Sequence, residues 1–113
     1  MNYFTTQELA CKCDKCKTFR YNHELLSILD DVREELGESI IVNSCYRCVD
    51  HNKAVGGSPR SRHLQGNAVD IHIKNNNYRY RLMRILLDKG VSVLVYKTFI
   101  HIQLDLEPIV RYM

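Results

Sequence analysis

Two stretches of this chain alternate strictly, and each places polar chemistry on one side. From Ala68 the pattern has period two, with Val69, Ile71 and Ile73 pointing one way and Ala68, Asp70 and His72 the other. From Phe99 to Leu104 it recurs, with Ile100, Ile102 and Leu104 opposite Phe99, His101 and Gln103. Segments of this kind are strands with an apolar face for a core and a polar face left over.

The rest of the chain supplies the cover. Asn22 can cap a helix in which Leu25, Leu29, Val32 and Leu36 share one side, while Asp30, Asp31, Arg33, Glu34 and Glu35 take the other. Gly37 ends it. Asn76 or Asn77 can open a second helix through Leu82, Ile85 and Leu86 to Gly90, followed by the strand-like run Val91 to Val95. Ile40-Ile41-Val42 reads as a short buried strand, and residues 43–62, with Gly56, Gly57 and Pro59, read as loop with one helical turn. These elements predict an α+β fold: a small antiparallel sheet with helices packed on one face. A length of 113 residues with 45% hydrophobic content predicts one folded domain over residues 1–113.

Asp70 and His101 sit on the faces of their strands away from the Ile/Val stripe, and His63 lies in the glycine-containing loop just before the first strand. Two imidazoles and a carboxylate are the open three-ligand set of a catalytic zinc, so these three are candidate metal ligands. A single strand histidine, taken alone, reads equally well as a satisfied core or surface residue.

The residues around His63 sharpen this. Ser61 to Asp70 fits S-x-H-x-x-G-x-A-x-D at every fixed position. It resembles the zinc D-Ala-D-Ala carboxypeptidase and L-alanyl-D-glutamate endopeptidase family, which acts on peptidoglycan stem peptides and shares its fold with the Hedgehog signalling domain. Ser44-Cys45-Tyr46-Arg47 resembles the family's S-G-Y-R turn, His51-Asn52 with Val55-Gly56-Gly57 resembles its HN..VGG segment, and Phe99-Ile100-His101-Ile102 is similar to the strand bearing its third ligand. The likeness covers nearly the whole chain, from roughly residue 3 to residue 104. It implies zinc on His63, Asp70 and His101, and Arg47 facing the substrate to hold a carboxylate or an oxyanion. A guanidinium suits either task by its planar fork and fixed charge. Ser61 is a candidate substrate-binding residue or a shaper of its loop, and Gly66 reads as a place of close backbone approach or positive φ.

The chain departs from the family pattern where a general base is expected. Thr98 stands three residues before His101, where many relatives carry an acid, and Gln103 stands two residues after it, where another branch has Asp. Gln103 shares a strand face with His101 and joins Arg47 in the candidate catalytic set, but it cannot titrate. His72, Asp105 and Glu107 are further candidates for the base, which stays unassigned. The resemblance thus implies a zinc peptidase cleaving peptidoglycan stems, with a catalytically inactive zinc-binding domain that binds wall fragments or a protein as the alternative.

Five cysteines form Cys11-x-Cys13-x-x-Cys16 and Cys45-x-x-Cys48. They can give four thiolates to a structural zinc, pair as disulfides across the same gap, or stay free. The net charge is a modest +3. Lys12, Lys15 and Lys17, with Arg79, Arg81 and Arg84, therefore read as solvated faces rather than a nucleic-acid surface. No apolar run approaches the ~18 residues of a membrane helix. Met1 to Glu8 lacks the pattern of a signal peptide. The expectation is a monomer made in the cytoplasm that reaches the wall only when released, as by a phage or a partner holin.

Overall fold

The computed structural model describes residues 3–13 and 20–113. Helix α1 (Thr6–Leu9) opens with a reciprocal cap, in which Thr5 Oγ1 accepts from the Glu8 amide and the Glu8 carboxylate accepts from the Thr5 amide. Helix α2 (His23–Leu36) begins where expected, with Asn22 Oδ1 accepting from the Leu25 amide at 3.1 Å. Gly37 closes it in the left-handed conformation. Helix α4 (Asn76–Asp88) starts one residue early, because Asn75 rather than Asn76 or Asn77 caps it, accepting from the Tyr78 amide at 2.8 Å. Between these helices lie β1 (Val42–Ser44), α3 (Val49–Ala54), a 3-10 turn over Arg62–Gln65 and β2 (Ala68–His72). After α4 come β3 (Ser92–Val95), β4 (Phe99–Gln103) and β5 (Val110–Tyr112).

The strands form one sheet in the order β1-β2-β4-β3-β5. The two central pairings, β2 with β4 and β4 with β3, follow from the apolar stripes. Val69 pairs with Ile102 and Ile71 with Ile100, so both stripes fall on one face. That face, with Val93 and Val95 of β3, packs against Leu25, Leu29 and Val32 of α2 and Tyr78, Leu82 and Leu86 of α4 in one hydrophobic cluster. The fold is α+β with helices against the sheet, compatible with a small DD-peptidase-like fold.

Three local expectations are corrected. The sheet is mixed rather than antiparallel throughout, since β5 runs parallel to β3 at the edge. The crossing from β4 to β5 is short because it passes only the end of β3, where the buried Ser92 hydroxyl accepts from the Ile109 amide at 3.0 Å. The first strand lies at Val42–Ser44, not Ile40–Val42: Ile41 is 49% exposed, and the regular ladder begins only when Val42 faces Ile71. The connection over residues 43–62 carries the full helix α3, and the 3-10 turn follows it.

Gly66 meets both conditions expected of it. Its φ is +69°, and a Cβ there would sit 2.0 Å from the Arg20 carbonyl oxygen, backbone that cannot swing aside. The Asn22 amide donates to the Gly66 carbonyl at 3.2 Å, so this contact ties the start of α2 to the loop before β2. Gly66→Ala is expected to cost at least about 2 kcal/mol, by adding a steric clash to the left-handed penalty. Chemical denaturation checks this through a lower midpoint at unchanged slope.

Candidate metal centre and its cleft

Register builds the site. Asp70 and His101 are direct cross-strand partners in the β2–β4 ladder and share the face away from the helices. The 3-10 turn then brings His63 over them: Ser61 Oγ accepts from the His63 amide at 3.2 Å, and the His63 carbonyl accepts from the Arg47 amide at 2.9 Å. One nitrogen from each imidazole and a carboxylate oxygen of Asp70 lie within 4.8 Å of one another. The three sequence candidates are thus brought together.

The surroundings decide which nitrogens face inward. His63 Nδ1 lies 2.7 Å from the Cys45 carbonyl, and a carbonyl can only accept, so this nitrogen carries the proton. Gln103 sets His101 in the same way. Its amide nitrogen donates to Asp105 Oδ2 at 3.0 Å, which turns its Oε1 toward His101 Nε2 at 2.9 Å and places the imidazole proton there. In the neutral rings, His63 Nε2 and His101 Nδ1 then aim lone pairs at Asp70 Oδ1, at 3.1 and 2.8 Å. His63 is 1% exposed, and its Nε2 has proximity to Asp70 but no hydrogen-bond partner. Converging lone pairs, an orphaned buried nitrogen and a second imidazole nitrogen held by carbonyl or amide oxygen are the pattern of a metal-ligating set, so the residues fit zinc.

Burial opposes the charge of Asp70, but when protons rather than a metal lie between it and the rings, hydrogen bonds and positive charge from His101 and His63 outweigh that and hold the carboxyl down at about 2. Asp105, behind Gln103, is also held below its usual value by the Ser92 hydroxyl, the Gln103 amide and Arg62.

A cleft of about 580 Å³ opens beside this cluster. Arg47, Arg60 and Arg62 line it together with the apolar side chains of Leu94, Tyr96 and Phe99. Arg47 Nη2 donates to Ser61 Oγ at 3.3 Å, while its Nε is buried without a partner. Burial pulls the Arg47 guanidinium below its ordinary value and the Asp70 carboxylate pushes it back up. It stays a cation at neutral pH. Gly57 leaves room for it, since a Cβ there would lie 2.9 Å from Arg47 Nη1 and 2.2 Å from Asn52 Oδ1. Ser61 serves its loop and Arg47 with the same oxygen.

The candidates for the base fall elsewhere. Among the described residues lining the cleft, Asp70 is the only carboxylate. His72 and Thr98 do not line it, and Glu107 is exposed on the loop before β5. Sequence reasoning missed the Cys45 carbonyl, the Gln103–Asp105 relay of hydrogen bonds and the aromatic wall, where Tyr96 and Phe99 stack with centroids 4.3 Å apart.

The cysteines divide. Cys11, Cys13 and Cys48 bring their sulfurs together, but Cys45 does not join the expected thiolate set. It is fully buried in the core, where desolvation pushes its thiol up to about 12. Cys16 lies outside the described residues.

An α+β sheet thus gathers two imidazoles and a carboxylate into a candidate metal centre, beside a cleft lined by three arginines and by Leu94, Tyr96 and Phe99. The family comparison gives the class a place: residues 2–103 match the model of peptidase M15, and the chain belongs to that family, one of metallopeptidases. No curated protein matches the chain.

Proposed function

We propose that this protein is a zinc peptidase that hydrolyses a peptide bond in peptidoglycan stem peptides, of the D,D-carboxypeptidase or L-alanyl-D-glutamate endopeptidase type. The observation that carries the reading is the convergence of His63 Nε2, Asp70 Oδ1 and His101 Nδ1 beside a cationic cleft. Zinc held there supplies Lewis acidity toward the scissile carbonyl and lowers the pKa of water to about 7. The chain's own groups do the rest. Arg47 offers a fixed guanidinium to the stem's carboxylate or to the developing oxyanion, within a cleft whose positive rim draws anionic peptides. Gln103 holds the His101 proton on Nε2, and the Cys45 carbonyl holds the His63 proton on Nδ1, so neither ring needs to reorient.

One observation favours a second reading. Without a carboxylate besides Asp70 among the described cleft residues, the chain has the ligands of a zinc centre and no acid placed to move a proton. A zinc-binding domain that holds wall fragments or a protein without cutting them fits that arrangement.

Incubating the zinc-loaded protein with D-alanyl-D-alanine and L-alanyl-D-glutamate peptides, with His63→Ala as control, separates the two. Zinc-dependent release of product is the expected result. Bound zinc with binding but no turnover on either peptide selects the second reading, and no bound zinc sinks both.

A further inference from the structure

A second cluster lies apart from the three residues of the cleft. Cys11 and Cys13 follow α1, and Cys48 precedes α3 directly after Arg47. Cys48 Sγ stands 3.7 Å from Cys11 Sγ and 3.8 Å from Cys13 Sγ, and all three sulfurs lie within 4.8 Å of one another. A disulfide brings sulfurs to about 2.05 Å. Thiolates arranged tetrahedrally at about 2.3 Å from a zinc ion stand about 3.8 Å apart, the edge of that tetrahedron. The two shorter separations match the edge.

Backbone amides already point at the sulfurs. The Cys48 amide donates to Cys11 Sγ at 3.3 Å and the His51 amide to Cys48 Sγ at 3.4 Å. Amide-to-sulfur hydrogen bonds stabilise a thiolate and orient it, as the outer partners of a metal site do. Soft sulfur donors in this geometry select zinc among the abundant divalent ions.

We propose that Cys11, Cys13 and Cys48 bind a structural zinc ion that fastens the segment after α1 to the loop carrying Arg47. On binding, each of the three thiols gives up its proton to solvent and donates a sulfur lone pair to the ion. No electron is transferred. The proposal stands without the peptidase reading, because none of its ligands belongs to the His63, Asp70 and His101 set.

The test uses full-length protein purified with zinc under reducing conditions. His63→Ala is expected to retain about one zinc per chain where the wild type holds about two, since the thiolate site outlives the cleft site. Adding a chelator should then raise the rate at which Cys11, Cys13 and Cys48 are alkylated, as followed by peptide mapping. Cobalt in place of zinc should give thiolate-to-metal charge-transfer absorption that persists in His63→Ala and disappears in Cys13→Ser. His63→Ala without zinc, or alkylation unchanged by chelator, overturns the proposal, as does a mapped disulfide joining Cys48 to Cys11 or Cys13. These readings need no folded Cys13 variant. Absence of turnover in the wild type with the cobalt–thiolate band intact counts against the peptidase reading alone, so the two failures are told apart.

Discussion

Asp70→Asn is expected to abolish hydrolysis of stem peptides, lowering kcat/KM roughly a thousandfold or more, together with loss of zinc from the cleft. The substitution preserves shape and removes the charge on which both imidazole lone pairs converge. An amide oxygen is a weak zinc donor, and its amide nitrogen would face the two rings if it turned. Elemental analysis alongside the peptide assay checks this, and a variant that keeps both zinc and turnover would refute Asp70 as a ligand. The metal-free wild type carries a related signature. With the folded carboxyl held down at about 2 and an ordinary value of 3.8 once unfolded, Asp70 binds protons less readily in the folded chain. Its contribution to stability is therefore present above about pH 4 and fades as pH falls toward about 2. Acid denaturation of the zinc-free protein should show that loss, and Asp70→Asn should not.

Arg47→Met is expected to keep its zinc while kcat/KM falls by about two to three orders of magnitude, the scale of removing one charged donor from a developing oxyanion or a bound carboxylate. Arg47→Lys should recover only part of this, because an ammonium keeps the charge but not the fork. If the loss lies in KM, Arg47 anchors the substrate's carboxylate. If it lies in kcat, the guanidinium acts on the transition state. Retained zinc separates either outcome from a collapsed site, and unchanged kinetics in Arg47→Met would exclude both roles.

Much of the architecture could be read from local chemistry. Helix α2 was legible at both ends because Asn22 and Gly37 are unambiguous caps, whereas α4 opens in three consecutive asparagines, Asn75 to Asn77, any of which can cap, so local chemistry alone does not choose among them. Strand β5 left no signal. All three of its residues are exposed, so no buried stripe marks it. Likewise the Ile40 to Val42 run reads as buried throughout, yet Ile41 faces solvent where the ladder has not begun. In the site, alternation placed Asp70, His101 and Gln103 on one face. The proton-holding partner of His63 stayed hidden, since it is a backbone carbonyl and no side-chain pattern encodes it. Cys45 misled for the opposite reason. Its C-x-x-C spacing to Cys48 looks like a ligand pair, but the Cys45 side chain is buried in the hydrophobic core, whereas the Cys48 sulfur stands beside those of Cys11 and Cys13.

The direct pairing of Asp70 with His101 makes the metal centre a reader of strand alignment. A slip of one residue between β2 and β4 would send one of these side chains through the sheet to the helix-covered face and bury a charge among leucines and isoleucines. The same slip would expose the isoleucine stripe that the helices cover. The cleft can therefore capture an ion only in chains whose two central strands have met in one alignment, so occupancy of that site counts correctly assembled molecules. Zinc uptake by the cleft during refolding would then follow the zippering of those strands, and the part of the uptake that depends on His63, read with a free-zinc dye, becomes a clock for that pairing.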